Sequence, residues 1–191
     1  MGPAGPTLPQ VSQNELQAMA YTDQLTGLGN RYRLRDKVRL LARERAADPA
    51  PFTVGIVNLD GFKPINDLFG SVAGDEILCQ VAHRLKACVP DGATVTRHDG
   101  DEFAIILPLV FERLGAERTG QMIKDVLSAP YDLGDRNVRL SASLGFAVYP
   151  FAGADFEELM KSAETALYRS KRRGRGQITV YSREKIGRAH V

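Results

Sequence analysis

Ala93-Thr-Val-Thr-Arg-His-Asp-Gly-Asp-Glu-Phe-Ala-Ile-Ile-Leu107 is the stretch on which the fold turns. Ala93–Thr96 and Phe103–Leu107 are apolar and largely β-branched, so each reads as a strand. His98, Asp99, Gly100 and Asp101 lie between them. Asp and Gly both tolerate positive φ, so an Asp-Gly pair between two strands predicts a hairpin closed by a type I′ turn. Upstream of it, Ser71–Val89 sets Ile77, Leu78, Val81, Leu85 and Cys88 on one side, as an amphipathic helix does. Before that, Phe52–Leu59 (FTVGIVNL) is a continuous apolar run and reads as a buried strand. Arg31–Arg45 carries Leu34, Val38, Leu41 and Ala42 at helical spacing, and Asn14–Tyr21 is a shorter helical pattern. Downstream, Phe111–Leu127 and Phe156–Arg172 read as helices. Val138–Tyr149 reads as one long strand bent near Gly145, and Gln177–Tyr181 as a last strand. Strands and helices alternate, yet one strand pair is a hairpin, so the expected fold is α/β with a mixed sheet and helices packed on it.

The chain has 191 residues, enough for one domain with its own core. Hydrophobic residues at 43% and charged residues at 25% exclude a disordered chain. A formal net charge of only +2 argues against a dedicated nucleic-acid binder, although Arg169, Lys171, Arg172, Arg173 and Arg175 form one dense basic run. No apolar stretch is long enough to span a bilayer. Met1–Gln10 is rich in Pro and Gly and lacks the pattern of a signal peptide. Cys79 and Cys88 show no metal spacing and read as reduced thiols, which places the chain in the cytoplasm. The expected organisation is a linker or cut end over residues 1–11, a lead-in helix over 12–20, a single domain over 21–182, and a tail over 183–191 outside it.

Polar residues gather at strand ends and turns in four segments: Asn58-Leu59-Asp60; Lys63, Asn66 and Asp67 with Asp75 beginning the next helix; Asp99-Gly100-Asp101-Glu102; and Lys171 with Arg175. Carboxylates at a strand end and on a facing hairpin can chelate a magnesium ion, which takes hard oxygen ligands and shares them with substrate phosphates. Lys and Arg nearby neutralise phosphates. Asn and Asp together offer a donor and an acceptor to a base edge, as guanine requires. The residues therefore read as a metal-dependent nucleotide site. Structural roles stand beside that reading: Asp67 as a turn residue, Asp75 as a charge at a helix start, and Asp23 with Arg31 as a lock on the N-terminal segment.

Six segments in order resemble the GGDEF family: Asp23–Arg31 (DQLTGLGNR), Asn58–Asp67 (NLDGFKPIND), Gly74-Asp75, Arg97–Phe103 (RHDGDEF), Ser143–Gly145, and Ala163–Lys171 (AETALYRSK). The resemblance runs from about Tyr21 to Tyr181. It implies a palm-like, nucleotidyl-cyclase-type fold with a mainly antiparallel mixed sheet flanked by helices. It also implies cyclic di-GMP signalling, in which active members are diguanylate cyclases. Two domains pair transiently as a homodimer, each holding GTP with Mg2+ or Mn2+, and condense the two GTP molecules to cyclic di-GMP. Carried over by position, Asn66 and Asp75 would read guanine. Lys63, Lys171 and Arg175 would hold phosphates, with Gly100 close to the nucleotide. Asn58, the Leu59 carbonyl and Asp101 would form the metal site, with Asp101 and Glu102 in the catalytic turn.

Two departures bear on that implication. The strand-end metal ligand, normally Asp, is Asn58, which is neutral and cannot act as a base. The signature reads Asp99-Gly-Asp-Glu-Phe, which adds bulk and negative charge where backbone approaches phosphates. Ser71 and Glu164 are milder substitutions for His and Asp. The family's product-inhibition pair, Arg and Asp, falls on Pro90 and Ala93, so no inhibitory site is expected. The expectation is a domain that binds GTP, has an impaired cyclase centre and regulates a covalently linked neighbour, a sensory or EAL domain. The alternatives are an active diguanylate cyclase and a dimerisation module that binds no nucleotide. The last residues, Ile186-Gly-Arg-Ala-His-Val191, fit no motif of the family. They correspond to one reading frame of a common sequencing-library adapter, so residues 186–191 are expected to be an assembly artefact in a natural protein that continues.

Overall fold

The computed structural model describes residues 2, 4–5, 9–48 and 50–183. The expected artefact at 186–191 lies outside the described residues. Helix α1 (Gln13–Tyr21) is closed at its start by a capping box between Ser12 and Glu15. Helix α2 (Arg31–Glu44) is capped by Asn30, whose side chain accepts from the Tyr32 and Arg33 amides. Strand β1 (Phe52–Leu59), helix α3 (Phe62–Phe69) and helix α4 (Ser71–Cys88) follow. Next come strands β2 (Thr94–Asp99) and β3 (Glu102–Leu107) and helix α5 (Arg113–Leu127). The chain continues through β4 (Tyr131–Asp132), β5 (Asn137–Val138), β6 (Ala142–Tyr149), α6 (Phe156–Arg172) and β7 (Ile178–Val180).

The main sheet has the order β2-β3-β1-β6-β7. β1 is antiparallel to both β3 and β6, β2 is antiparallel to β3, and β7 joins β6 in parallel. The sheet is thus mixed and mainly antiparallel, as the sequence predicts. Alternation along β1 explains why the strand reads as unbroken apolar sequence: it is buried on both faces. Phe52, Val54 and Ile56 join Leu34 and Val38 of α2 and Leu159, Ala163 and Leu167 of α6. Val57 and Leu59 join Ile77 and Val81 of α4 and Ile123 of α5 on the other face.

Three local expectations give way. The two-residue hairpin loop is Gly100-Asp101, because Asp99 pairs with Glu102. Positive φ falls on Gly100 (34°) and not on Asp99 or Asp101, which is the φ pattern of a II′ loop, not I′. Val138–Tyr149 is not one strand: Val138 pairs with Tyr131 in a separate small hairpin, and β6 begins at Ala142. β6 also passes through Gly145 in register with Ile56. The glycine there serves close approach: a Cβ would collide with Leu167 N and Ala163 O and lie 2.8 Å from Leu167 Cα, so α6 can rest on the sheet only if this side chain is absent.

Candidate functional site

The C-terminal end of β1 and the β2–β3 tip lie side by side because β1 pairs with β3, with Asn58 opposite Glu102. Leu59 N–H donates to the Asp101 carbonyl (3.3 Å) and ties the strand end to the loop. Asn58 Nδ2 donates to Asp101 Oδ1 (3.3 Å), and Lys171 Nζ donates to Asn58 Oδ1. The amide therefore bridges a carboxylate and an ammonium, satisfying each with the correct half of its dipole.

Asp60, two residues on, is buried and fully engaged. Its Oδ1 accepts from Ser143 Oγ (2.8 Å) and Lys171 Nζ (2.7 Å), and its Oδ2 from Ser141 Oγ (2.7 Å) and Gly176 N–H (2.9 Å). Burial pushes this carboxyl up, but those four donors outweigh it and hold it below its ordinary value. Asp60 thus joins β1, β6, α6 and the loop after α6, and both its oxygens are engaged by those partners. That loop runs through three consecutive left-handed residues, Gly174 (φ 114°), Arg175 (60°) and Gly176 (58°). The Gly176 amide on Asp60 holds it there and sets exposed Arg175 at the same end of the sheet as Lys171.

Gly61 takes left-handed φ (74°) and launches α3 without any side-chain cap. The first N–H groups of α3 therefore stay unsatisfied, a donor array suited to anions. Exposed Lys63 lies in that first turn. α3 is absent from the sequence reading; its signal is Gly61 followed by Pro64, a residue tolerated in a first helical turn. Asn66, in α3, packs against buried Gly74 of α4, whose added Cβ would lie 3.0 Å from Asn66 Cγ and collide with Oδ1. Asp75 is exposed and is the fifth residue of α4, not its beginning, and α4 has no acidic residue in its first turn. Its value as a helix-start charge is correspondingly small.

At the tip, Asp99 and Gly100 are exposed, and Asp101 and Glu102 are partly buried. Burial raises Glu102 to about 7, helped by the charges of Glu164, Asp101 and Asp99 and opposed by Lys171. The lock on the N-terminal segment has a different partner from the one expected. Asp23 accepts from Thr26 N–H and Oγ1 and from Arg97 Nη1 (3.1 Å), while Arg31 bonds to the Tyr32 hydroxyl. Arg97 also donates from Nε to the Gly100 carbonyl (2.7 Å). Burial pushes Asp23 up, but the Thr26 and Arg97 donors bring it below its ordinary value.

Strand end, uncapped α3 and hairpin tip thus lie together at one polar end of the sheet. The family model described as "Diguanylate cyclase, GGDEF domain" matches residues 20–177. The chain belongs to the GGDEF family. This GGDEF chain is 37% identical over 164 residues to the bifunctional diguanylate cyclase/cyclic di-GMP phosphodiesterase MucR of Pseudomonas aeruginosa, covering 86% of the chain and 24% of MucR. It is 32% identical over 173 residues to the cyclic di-GMP phosphodiesterase PdeR of Escherichia coli, covering 91% of the chain and 26% of PdeR. The chain spans about a quarter of the length of these relatives. The crystal structure of the GGDEF domain of Pseudomonas aeruginosa YfiN (TpbB) matches with a TM-score of 0.79 at 30% identity, over 82% of this chain and 98% of that one.

The GGDEF site fits a magnesium ion poorly. Its donor set at the strand end is one carboxylate, Asp101, with two neutral oxygens, the Leu59 carbonyl and the Asn58 amide, and Lys171 already occupies the amide oxygen. A hard dication beside phosphates needs anionic oxygens, and here an ammonium stands on the atom that would ligate it. Asp99 does not fill the gap: it is exposed, and the Asn58 amide bonds to Asp101 instead. Among the described residues, no helix is long and apolar enough to cross a membrane.

Proposed function

We propose that this GGDEF domain, residues 21–182, binds GTP, makes cyclic di-GMP poorly or not at all, and acts by regulating a neighbouring domain. The observation that carries the reading is the Lys171–Asn58–Asp101 chain of hydrogen bonds. An Asp at position 58 would set two carboxylates together and demand a cation. The amide removes that demand and closes the site on itself.

Nucleotide binding is supported by the parts this substitution leaves alone. Lys63 and the free amides of α3 suit phosphate oxygens, and Asn66 with Asp75 offers the donor and acceptor that a guanine edge takes. Arg175 adds a mobile-stemmed cation on a fixed backbone. Regulation of a linked domain is supported by relatives of about four times this length, one named for both cyclase and phosphodiesterase activity and one for phosphodiesterase activity alone.

The test is to incubate the purified chain with GTP and Mg2+ or Mn2+, measuring GTP binding and cyclic di-GMP together. Binding without turnover is expected. Robust turnover would move the domain to the diguanylate cyclases, and no binding would leave a dimerisation module. An Asn58→Asp, Asp99→Gly double variant is expected to gain cyclase activity; if it binds GTP and stays inactive, the defect lies elsewhere.

A further inference from the structure

On the α6 face of the hairpin, three side chains converge that the nucleotide reading does not use together. His98 comes from the β2 register shift between Arg97 and Asp99, Glu102 from the first position of β3, and Glu164 from the middle of α6. Each can present one ligand atom, and the three atoms lie within 4.8 Å of one another. Among the described residues this is the group of His, Cys, Asp and Glu close enough to share an ion, and Asp101 is not in it. A second, independent observation concerns the imidazole. His98 Nδ1 is shut off from solvent and has no hydrogen-bond partner. Orphaned buried polar atoms are rare in folded proteins and call for an explanation.

We propose that His98, Glu102 and Glu164 form a binding site for a first-row divalent transition ion of the zinc type. One imidazole nitrogen and two carboxylate oxygens are ligands that zinc accepts, and three protein ligands leave a fourth position open. Magnesium, which prefers an all-oxygen octahedron, is disfavoured by the imidazole. Carboxylates outnumber cations around Glu102: Glu164, Asp101 and Asp99 act on it against Lys171, the opposing charge. Tetrahedral ligands on bonds of about 2.0–2.2 Å stand about 3.4 Å apart, so the group must contract on binding. Glu164 is exposed on α6 and can make that movement without disturbing the core. The bulge at His98 is the kind of irregularity that aims one side chain out of the strand's alternation. An ion here would tie α6 to the hairpin and engage Glu102, the glutamate of the signature turn.

The experiment titrates the metal-free full chain with ZnCl2 against a chromophoric chelator, with MgCl2 in parallel and CoCl2 followed by visible absorption. One equivalent of zinc is expected, with no competition from magnesium. Four-coordinate cobalt should show strong visible bands. His98→Ala and Glu164→Gln should each weaken zinc by more than about tenfold, since loss of a direct ligand exceeds the loss of a supporting partner. Asp101→Asn should leave zinc affinity within about twofold, because removing one flanking carboxylate is a partly screened effect. A Cys79→Ser, Cys88→Ser chain should still bind, which excludes the thiols as the ligands. Glu164→Gln changes an exposed residue, and its circular dichroism should match the parent. Absence of zinc binding, binding indifferent to His98→Ala and Glu164→Gln, or loss in Asp101→Asn equal to theirs would each overturn the proposal.

Discussion

Asp60→Asn isolates the part of the site that is architecture. The substitution keeps the shape of the side chain and exchanges one oxygen for an NH2 group. In one orientation the new donor faces the Gly176 N–H; in the other it faces Lys171 Nζ. Both partners can only donate, so one donor is turned against another whichever way the amide flips. Leaving a buried donor unmatched costs about 1–3 kcal/mol, and the charge pairing with Lys171 is lost as well. Lys171 is 24% exposed and Asp60 6%, so that ionic part is partly screened and adds only modestly. A total near 3 kcal/mol corresponds to a fall in Tm of about 6–12 °C for a domain of this size. Thermal unfolding followed by circular dichroism at pH 7 measures it, with exposed Asp67→Asn as a neutral control. The pH dependence gives a second readout. Asp60 is held below its ordinary 3.8, so its contribution is complete above that value and is lost as pH falls through the folded-state value. The gap between parent and variant should therefore stay constant from pH 7 to pH 5 and close only in stronger acid. Equal Tm at pH 7, or a gap already closing between pH 7 and pH 5, would refute the assignment of Asp60 as the anchor of this network.

Three further outcomes follow from the same geometry. Gly145→Ala forces α6 off β6, and overpacking of this kind costs about 1–3 kcal/mol or more, visible as a lower urea midpoint with unchanged slope. Gly74→Ala displaces the Asn66 amide; isothermal titration should show weakened GTP binding, with ATP binding unaffected, and an equal loss for both nucleotides would remove Asn66 from base reading. Glu102, raised to about 7, is favoured protonated in the folded state, so folding binds a proton between pH 4.5 and pH 7 and stability from this group falls as pH rises through that window. Glu102→Gln should remove that slope in Tm against pH, and an unchanged slope would show that the raised value is not Glu102's.

Where local pattern and tertiary need coincide, the sequence was readable. FTVGIVNL declares a doubly buried strand, and the Asp-Gly pair declares a hairpin even though the turn settles one residue later. The failures have a common cause. Gly145 looks like a bend because a strand glycine usually weakens or kinks its strand, yet its function is to admit the backbone of α6, which is not visible along one strand. Val138 has the right residue type to continue β6 but pairs with Tyr131 instead. In the site, residue types were legible and partners were not. Asp60 and Asn58 look alike as strand-end polar groups two positions apart. Only the fold shows that Lys171, 113 residues from Asn58, reaches both, and that Asp60 has no lone pair left for an ion. His98 and Glu164 carry no shared signal in sequence; a bulge and a helix crossing bring them together.

Arg97 has a consequence of a mechanical kind. Its guanidinium grips Asp23, 74 positions earlier in the chain, and the carbonyl of Gly100 at the hairpin tip. It is a rigid plate bolted to two parts at once, and it bypasses the packed interior. A displacement of Asp23 would reach the turn through this one side chain, as a crank delivers a pull around a corner. Because coupling free energies are reciprocal, any ligand that shifted the turn through Arg97 would be felt at Asp23 to the same degree. Such a lever would work in both directions, whether or not the turn performs any chemistry.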